Sequence, residues 1–233
     1  MPTLRKTTSP LPPISVREIS LKNGKSQKIY CMGNLKLLDI PGAGFCGSRK
    51  VSPAGVSVAE DCAVQIAQSG YPVISGYAAG VDMTAHTAAL AAGGSTVIVL
   101  PEGIDHFRIK KEIAEFWDWN RILVISPFDP EMRWTVYRAM GRNHVIVALS
   151  RAMIVIEAGE KGGTLAAGLA SLKAQCPLFV VDYGENDYAV GNRVLLQKGG
   201  RSLKKSIKTN RASLGAVLTC LRGEVLQEQL SLL

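Results

Sequence analysis

From residue 28 onwards, short apolar runs alternate with longer segments of mixed polarity. The runs at 43–46, 72–75, 95–100, 122–125, 153–156 and 178–181 are almost continuously apolar, as strands buried on both faces require. Between them, residues 53–69, 79–92, 107–119, 131–148 and 163–174 have helical length and periodicity. Ser52 before Pro53 supplies a capping residue and a first-turn proline for the first of these helices. Residues 28–35 read as a short strand and turn ahead of the first unit. This alternation predicts an α/β fold in one domain, a doubly wound, mostly parallel sheet with helices on both faces. Ligands of such sheets bind beyond the carboxyl ends of the strands.

Three glycine-centred turns fall on that edge, each directly after an apolar run: Gly47-Ser48-Arg49, the stretch from Ser75 through Gly76 and Gly80 to Asp82, and Lys161-Gly162-Gly163-Thr164. Glycine lets the backbone approach a ligand closely, and a helix that begins there offers unpaired N–H groups, so each turn is a candidate anion site. Arg49, Arg142 and Lys161 supply matching positive charge, Asn143 and the Thr164 hydroxyl add hydrogen-bonding capacity, and Ser48 and Ser52 flank the first turn.

Charge sharpens this picture through its distribution. The formal net charge is +8, yet residues 1–50 hold nine Lys or Arg against two acids, residues 51–192 hold ten against fifteen, and residues 193–222 hold eight against none. Residues 1–27, with four prolines and no sustained periodicity, predict a flexible, basic, Pro-rich arm. Residues 28–200 form the predicted domain, and residues 201–233 a basic segment with a C-terminal helix. Lys198, Arg201, Lys204, Lys205, Lys208 and Arg211, spaced by Gly, Ser and Asn, have the character of a flexible phosphate-contacting run. Five cysteines without a C-x-x-C pair read as buried free thiols in a reducing cytoplasm, and no run of eighteen apolar residues predicts a membrane span.

Several chemistries are argued against. Gly42-Ala43-Gly44-Phe45-Cys46-Gly47 spells G-x-G-x-x-G, but residues 43–46 read as the strand itself, and a helix starting at Gly44 would place Pro53 in its interior at a cost of about 3 kcal/mol. No acid stands at the end of the next strand to hold a ribose. Asp82 and His86 share a helix face, and Ser48 or Ser75 could complete a hydrolase triad, yet no G-x-S-x-G elbow presents a nucleophile, so capping and loop packing is the favoured role. The three histidines lack metal-ligand spacing, so neither a metal nor a cofactor is expected. Arg142-Asn143 reads equally as an anion contact or as a buried polar pair satisfying backbone carbonyls. Trp117 and Trp119 read as core, whereas Phe107, Trp134 and Tyr137 lie where they could stack on bases.

These residues together resemble the DNA-processing protein A family (DprA or Smf). Gly47-Ser48-Arg49 with Ser52, and Ser75-Gly76-Tyr77-Ala78-Ala79-Gly80-Val81-Asp82 with Ala85-His86, look like its G-S-R and S-G-x-A-x-G-[IV]-D-x-x-A-H signatures. In order follow Gly94 through Leu100 with Gly103-Ile104-Asp105, Arg142-Asn143 with Ala148-Leu149-Ser150, and Glu157-Ala158 through Leu165; upstream, Ile29 to Leu35 fits L-Y-x-x-G-N. The match covers residues 28–200. It departs from the family pattern at 127–144, where Arg142-Asn143 is displaced downstream and His144 replaces a second arginine, with Arg133 and Arg138 nearby. Full-length relatives often carry a helical domain before this core and a winged helix after it; the expectation here is a minimal version with the core alone.

The resemblance implies a Rossmann-like, non-enzymatic, cytoplasmic protein that binds single-stranded DNA, forms a homodimer and helps load a RecA-type recombinase in DNA uptake or recombination. The implied DNA contacts are Ser48, Arg49, Arg142, Asn143, Lys161, Gly162, Gly163 and Thr164; Gly47, Ser52, Gly76 and Gly80 complete the phosphate-binding candidates. A rival expectation is a protein that binds or hydrolyses a small nucleotide, since related folds carry P-G-G-x-G-T-x-x-E on the same edge. The stretch after Gly162 lacks that glutamate, so an acid would have to come from Glu102 or Asp105.

Overall fold

The computed structural model describes residues 11–184, 189–204 and 211–224. A nine-stranded sheet in the order β1-β2-β6-β5-β4-β3-β7-β8-β9 forms its centre. The strands are β1 (Ser15–Ser20), β2 (Ser26–Gly33), β3 (Gly42–Cys46), β4 (Val73–Ser75), β5 (Thr96–Val99), β6 (Ile122–Ser126), β7 (Ser150–Val155), β8 (Leu178–Val181) and β9 (Arg201–Leu203). From β6 across to β9 all pairings are parallel, while β1–β2 and β2–β6 are antiparallel. The helices are α1 (Pro53–Gln68), α2 (Val81–Ala91), α3 (Val136–Gly141), α4 (Asn143–Leu149), α5 (Gly163–Lys173), α6 (Val190–Gln197) and α7 (Gly215–Arg222).

The helices cover both faces, as the alternation predicts. One face packs α1, α2 and α7 on Phe45, Ile154 and Phe179; the other packs α4, α5 and α6 on Val97, Leu123, Met153 and Val180. The chain runs β3-β4-β5-β6 towards one edge, then returns to place β7 on the other side of β3. The carboxyl ends of β3 and β7 therefore flank the point where the winding reverses, the place such sheets offer a ligand. The G-x-G-x-x-G stretch lies within and at the end of β3, and α1 begins at Pro53, where the Ser52 Oγ accepts a hydrogen bond from Gly55 N at 3.0 Å.

Four expectations need correction. Part of the arm expected over residues 1–27 is a strand: β1 pairs with β2 through a turn closed by Leu21 N to the Lys25 carbonyl at 2.8 Å. An edge strand held mainly by main-chain bonds shows little apolar periodicity, so the pattern hides it; residues 1–10 lie outside the described residues. Residues 107–119 form no α-helix but an irregular segment with one 3-10 turn at Ala114–Phe116. Packing overrides periodicity there, because Phe107 is buried against Tyr77 and Trp117 at ring-centroid distances of 5.6 Å each, with Trp119 5.1 Å from Trp117.

The helix expected over 131–148 begins only at Val136, after Thr135 caps it by accepting Arg138 N at 3.1 Å, and it breaks at Arg142 into α3 and α4. The basic C-terminal run is partly tied into the fold. Arg201 lies in β9, Arg211 pairs with Asp61 at 2.6 Å and Lys204 with Asp182 at 3.2 Å, while Lys205 and Lys208 lie outside the described residues. The C-terminal helix α7 buries Val217, Cys220 and Leu221 in the main core, so sheet and core run past residue 200.

Two buried polar groups hold the strand ends that carry the turns. Asn192, at the start of α6, accepts from Ala158 N at 2.7 Å and donates to the carbonyls of Ile156 and Val181 at 2.7 and 2.8 Å, pinning the ends of β7 and β8. His86 of α2 is fully buried; its ring meets the Gly76 carbonyl through Nε2 and the Thr96 hydroxyl through Nδ1, 2.6 Å away, and the same hydroxyl donates to the Val73 carbonyl at 2.8 Å. Burial lowers its pKa to about 4.

Asn192→Ala strands three buried backbone groups and should destabilise the protein by about 2–4 kcal/mol, a fall in Tm of about 5–10 °C. An unchanged melting curve would remove Asn192 from this role. His86 in the unfolded chain protonates near pH 6.5, so between 6.5 and about 4 the unfolded state binds the extra proton and stability falls as the pH drops. The loss should reach about 3 kcal/mol by pH 4. Urea unfolding at pH 7, 5.5 and 4 should show a shallower pH dependence in His86→Gln than in the parent protein; equal slopes would contradict the assignment.

Candidate nucleic-acid interface

The turns after β3 and β7 meet across a cleft of about 480 Å³. Its lining includes the predicted residues Gly47, Ser48, Arg49, Arg142, Asn143, Lys161, Gly162, Gly163 and Thr164. The floor is Phe45 and Cys46 at the end of β3, and one wall is the α3–α4 segment, through Val136, Ala139, Met140 and Ile146. Ser52, Gly76 and Gly80 lie outside this lining, each for a packing reason.

Ser52 is committed to the fold. Its N–H donates to Glu157 Oε2 at 2.9 Å and its hydroxyl to Glu157 Oε1, so the buried carboxylate after β7 is stapled to the start of α1. Gly76 is a close-approach glycine: a Cβ there would sit 1.7 Å from Arg142 Nη1, so the guanidinium lies directly against the backbone. Gly80 is enclosed by the Ser48 and Arg49 carbonyls, and Val81 N donates to Ser48 O at 3.2 Å. The β4–α2 turn thus supports the β3 turn from behind.

Arg142 is buried, and its Nη2 pairs with Asp82 Oδ2 at 3.4 Å. Asp82 also accepts from Ala78 N at 3.3 Å and faces the Ser75 hydroxyl at 3.0 Å. Its partner among these groups is not His86, whose ring bonds to Gly76 and Thr96, so the two side chains of the triad-like pattern serve packing rather than one another. Of the two roles open for Arg142, the carboxylate pair replaces the expected backbone-carbonyl contacts, and the same side chain still lines the cleft, with a buried Nε that has no partner among the described residues. Asn143 is half-buried and donates weakly to the Gly163 carbonyl at 3.4 Å, joining α4 to the start of α5.

The free positive charge lies at the rim. Arg49 and Lys161 are exposed and have no ion pair among the described residues, and Asp82, the one acid lining the cleft, is already engaged. Gly162 adopts φ 112°, a conformation that favours glycine, and has open space on its side-chain side. The first bond of α5 runs from Ala166 N to Gly162 O at 3.1 Å, which leaves the preceding N–H groups without an intrahelical partner, and Gly163 and Thr164 of this first turn line the cleft. Cations, helix amides and small residues together present a shallow surface to phosphate oxygens.

The aromatic expectations divide. Phe107 is core, at 2% exposure, whereas Trp134 and Tyr137 are 47% and 86% exposed. Trp134, Val136 and Met140 make an apolar rim that the glycine turns did not reveal; its signal in the sequence is the alternation of apolar residues with arginines over 132–142. Asn192, which braces the β7 turn from α6, has no comparable signal.

A family model for DNA recombination-mediator protein A matches residues 11–212. The chain is 34% identical over 139 residues to DNA processing protein DprA of Streptococcus pneumoniae, covering 59% of this chain and 49% of that protein. It spans about half the length of the curated relatives it matches first. Among solved structures, DNA processing protein A from Helicobacter pylori, described for its single-stranded DNA binding mode, superimposes with a TM-score of 0.75 at 26% identity, covering 92% of this chain and 98% of that one. The Streptococcus pneumoniae structure gives 0.68 at 30% identity, over 75% of this chain and 62% of that one. No helix among the described residues is long and apolar enough to cross a membrane. With most of its length matched by one family model and its sheet shared with solved members, the chain belongs to the DNA recombination-mediator protein A family.

Proposed function

We propose that this protein binds single-stranded DNA in the cleft between the β3 and β7 turns, as a mediator of recombination without catalytic chemistry of its own. The observation that carries the reading is the combination of Arg49 and Lys161, which have no ion pair among the described residues, with the open start of α5, in a cleft where Asp82, the one acid among the described lining residues, is already tied to Arg142. Phosphates would lie along Ser48, Arg49, Lys161, Gly162, Gly163 and Thr164, with Arg142 and Asn143 behind them. Such contacts follow a backbone and carry no sequence information. The single-stranded DNA binding described for the Helicobacter pylori relative supports the same role.

On this reading the bound strand is handed to a RecA-type recombinase in the cytoplasm, the protein acts as a homodimer, and no cofactor takes part. The rival, a small-nucleotide protein, would use the same amides for one phosphate rather than a chain of them.

Fluorescence anisotropy with a labelled single-stranded oligonucleotide tests the proposal. Binding should weaken steeply with salt, and Arg49→Ala or Lys161→Ala should weaken it by about tenfold at low salt while lowering the log–log salt slope by about 0.7 each. Failure to bind the oligonucleotide, combined with binding of mononucleotides, would replace this reading by its rival.

A further inference from the structure

Beside the main cleft lies a second cavity of about 300 Å³. It shares Arg49, Trp134 and Arg142 with the cleft and adds Tyr77, Glu102 and Lys110. Lys110 is occupied: its Nζ donates to the Tyr77 carbonyl at 2.5 Å and lies 4.5 Å from the centre of the Tyr77 ring. Glu102 is different. It is half-buried in the turn after β5, held there through its backbone, whose carbonyl accepts the Ser126 hydroxyl at 2.6 Å, while its carboxylate has no hydrogen-bond or ion-pair partner among the described residues. Burial pushes that carboxyl above its usual range, against the pull of Lys110, His106 and Arg142. Glu102 and Trp134 also line a further shallow recess together, which places the acid and the exposed indole side by side.

A carboxylate in the wall of a polyanion cleft opposes binding unless the ligand brings donors to it. Phosphates bring none, whereas nucleobases do. Thymine offers one N–H between two carbonyls, and adenine and cytosine each offer an amino group beside a ring acceptor. Guanine alone offers two adjacent donors, N1–H and the N2 amino group, which match the two oxygens of a carboxylate. An exposed indole is the platform on which such a ring stacks.

We propose that this cavity is a nucleobase subsite selective for guanine, in which Trp134 stacks on the ring and Glu102 accepts its N1–H and N2 amino donors. The inference rests on the nucleic-acid reading above and deepens it: the phosphate lies on Arg49 and the base of the same nucleotide turns into the cavity. The base can be carried by a strand or by a free mononucleotide.

The test compares an all-thymine oligonucleotide with versions carrying guanine or inosine at every third position, in the parent protein, Glu102→Gln and Trp134→Ala, alongside calorimetry with guanosine monophosphate. The expected result is binding of the guanine strand tighter than the thymine strand on the order of tenfold, with inosine between them and the preference lost in Glu102→Gln. If all strands bind equally in the parent protein, and guanosine monophosphate does not bind, the subsite is overturned while strand binding stands. If no strand binds, the DNA reading fails; binding of guanosine monophosphate that weakens in Glu102→Gln then supports the subsite for a free nucleotide, and its absence overturns both. The comparison of strands in the parent protein needs no variant to fold.

Discussion

The buried pair between Arg142 and Asp82 is the contact on which the site depends. It joins elements far apart in sequence, the start of α2 and the break between α3 and α4, at the end of β4. Removing either partner of such a pair leaves a buried charge uncompensated, typically at about 3–5 kcal/mol. The pair also constrains composition: the guanidinium lies so close to Gly76 that a side chain there would have to displace it. Asp82 in turn holds Ala78 N and faces Ser75, so one carboxylate organises the turn that supports Ser48 and Arg49.

Around this pair the polar groups divide by location. Those that are buried, Glu157 on Ser52, Asn192 on the ends of β7 and β8, and His86 on Gly76, have their hydrogen bonds satisfied within the protein and set the geometry of the carboxyl edge. Those that are exposed, Arg49 and Lys161, have no ion pair among the described residues and so keep their charge available. The division has a physical basis, since a buried unpaired charge is heavily penalised while an exposed one is solvated at little expense. It also separates stability from ligand attraction, because substitutions at the rim leave the clamps beneath intact.

Strand-helix alternation, the six central strands and the strand nature of residues 43–46 were legible because burial on both faces writes continuous apolar runs, and Pro53 restricts where a helix can begin. The turns were legible because glycine and a following helix start are local features. Less legible were β1 and β9, whose edge or terminal positions need little apolar pattern, and residues 107–119, where aromatic packing against Tyr77 displaced a helix that spacing alone favoured.

Local spacing therefore determined the kinds of element and the edge on which a ligand would meet them. Only the tertiary structure decided which turns face one another: Gly47 to Arg49 and Lys161 to Thr164 share a cleft, Ser52, Gly76 and Gly80 stand behind it, and Glu102 comes to lie beside Trp134. Those juxtapositions follow from the reversal of winding between β3 and β7 and from the placement of Arg142 on Gly76, contacts between distant parts of the chain that no window of neighbouring residues encodes.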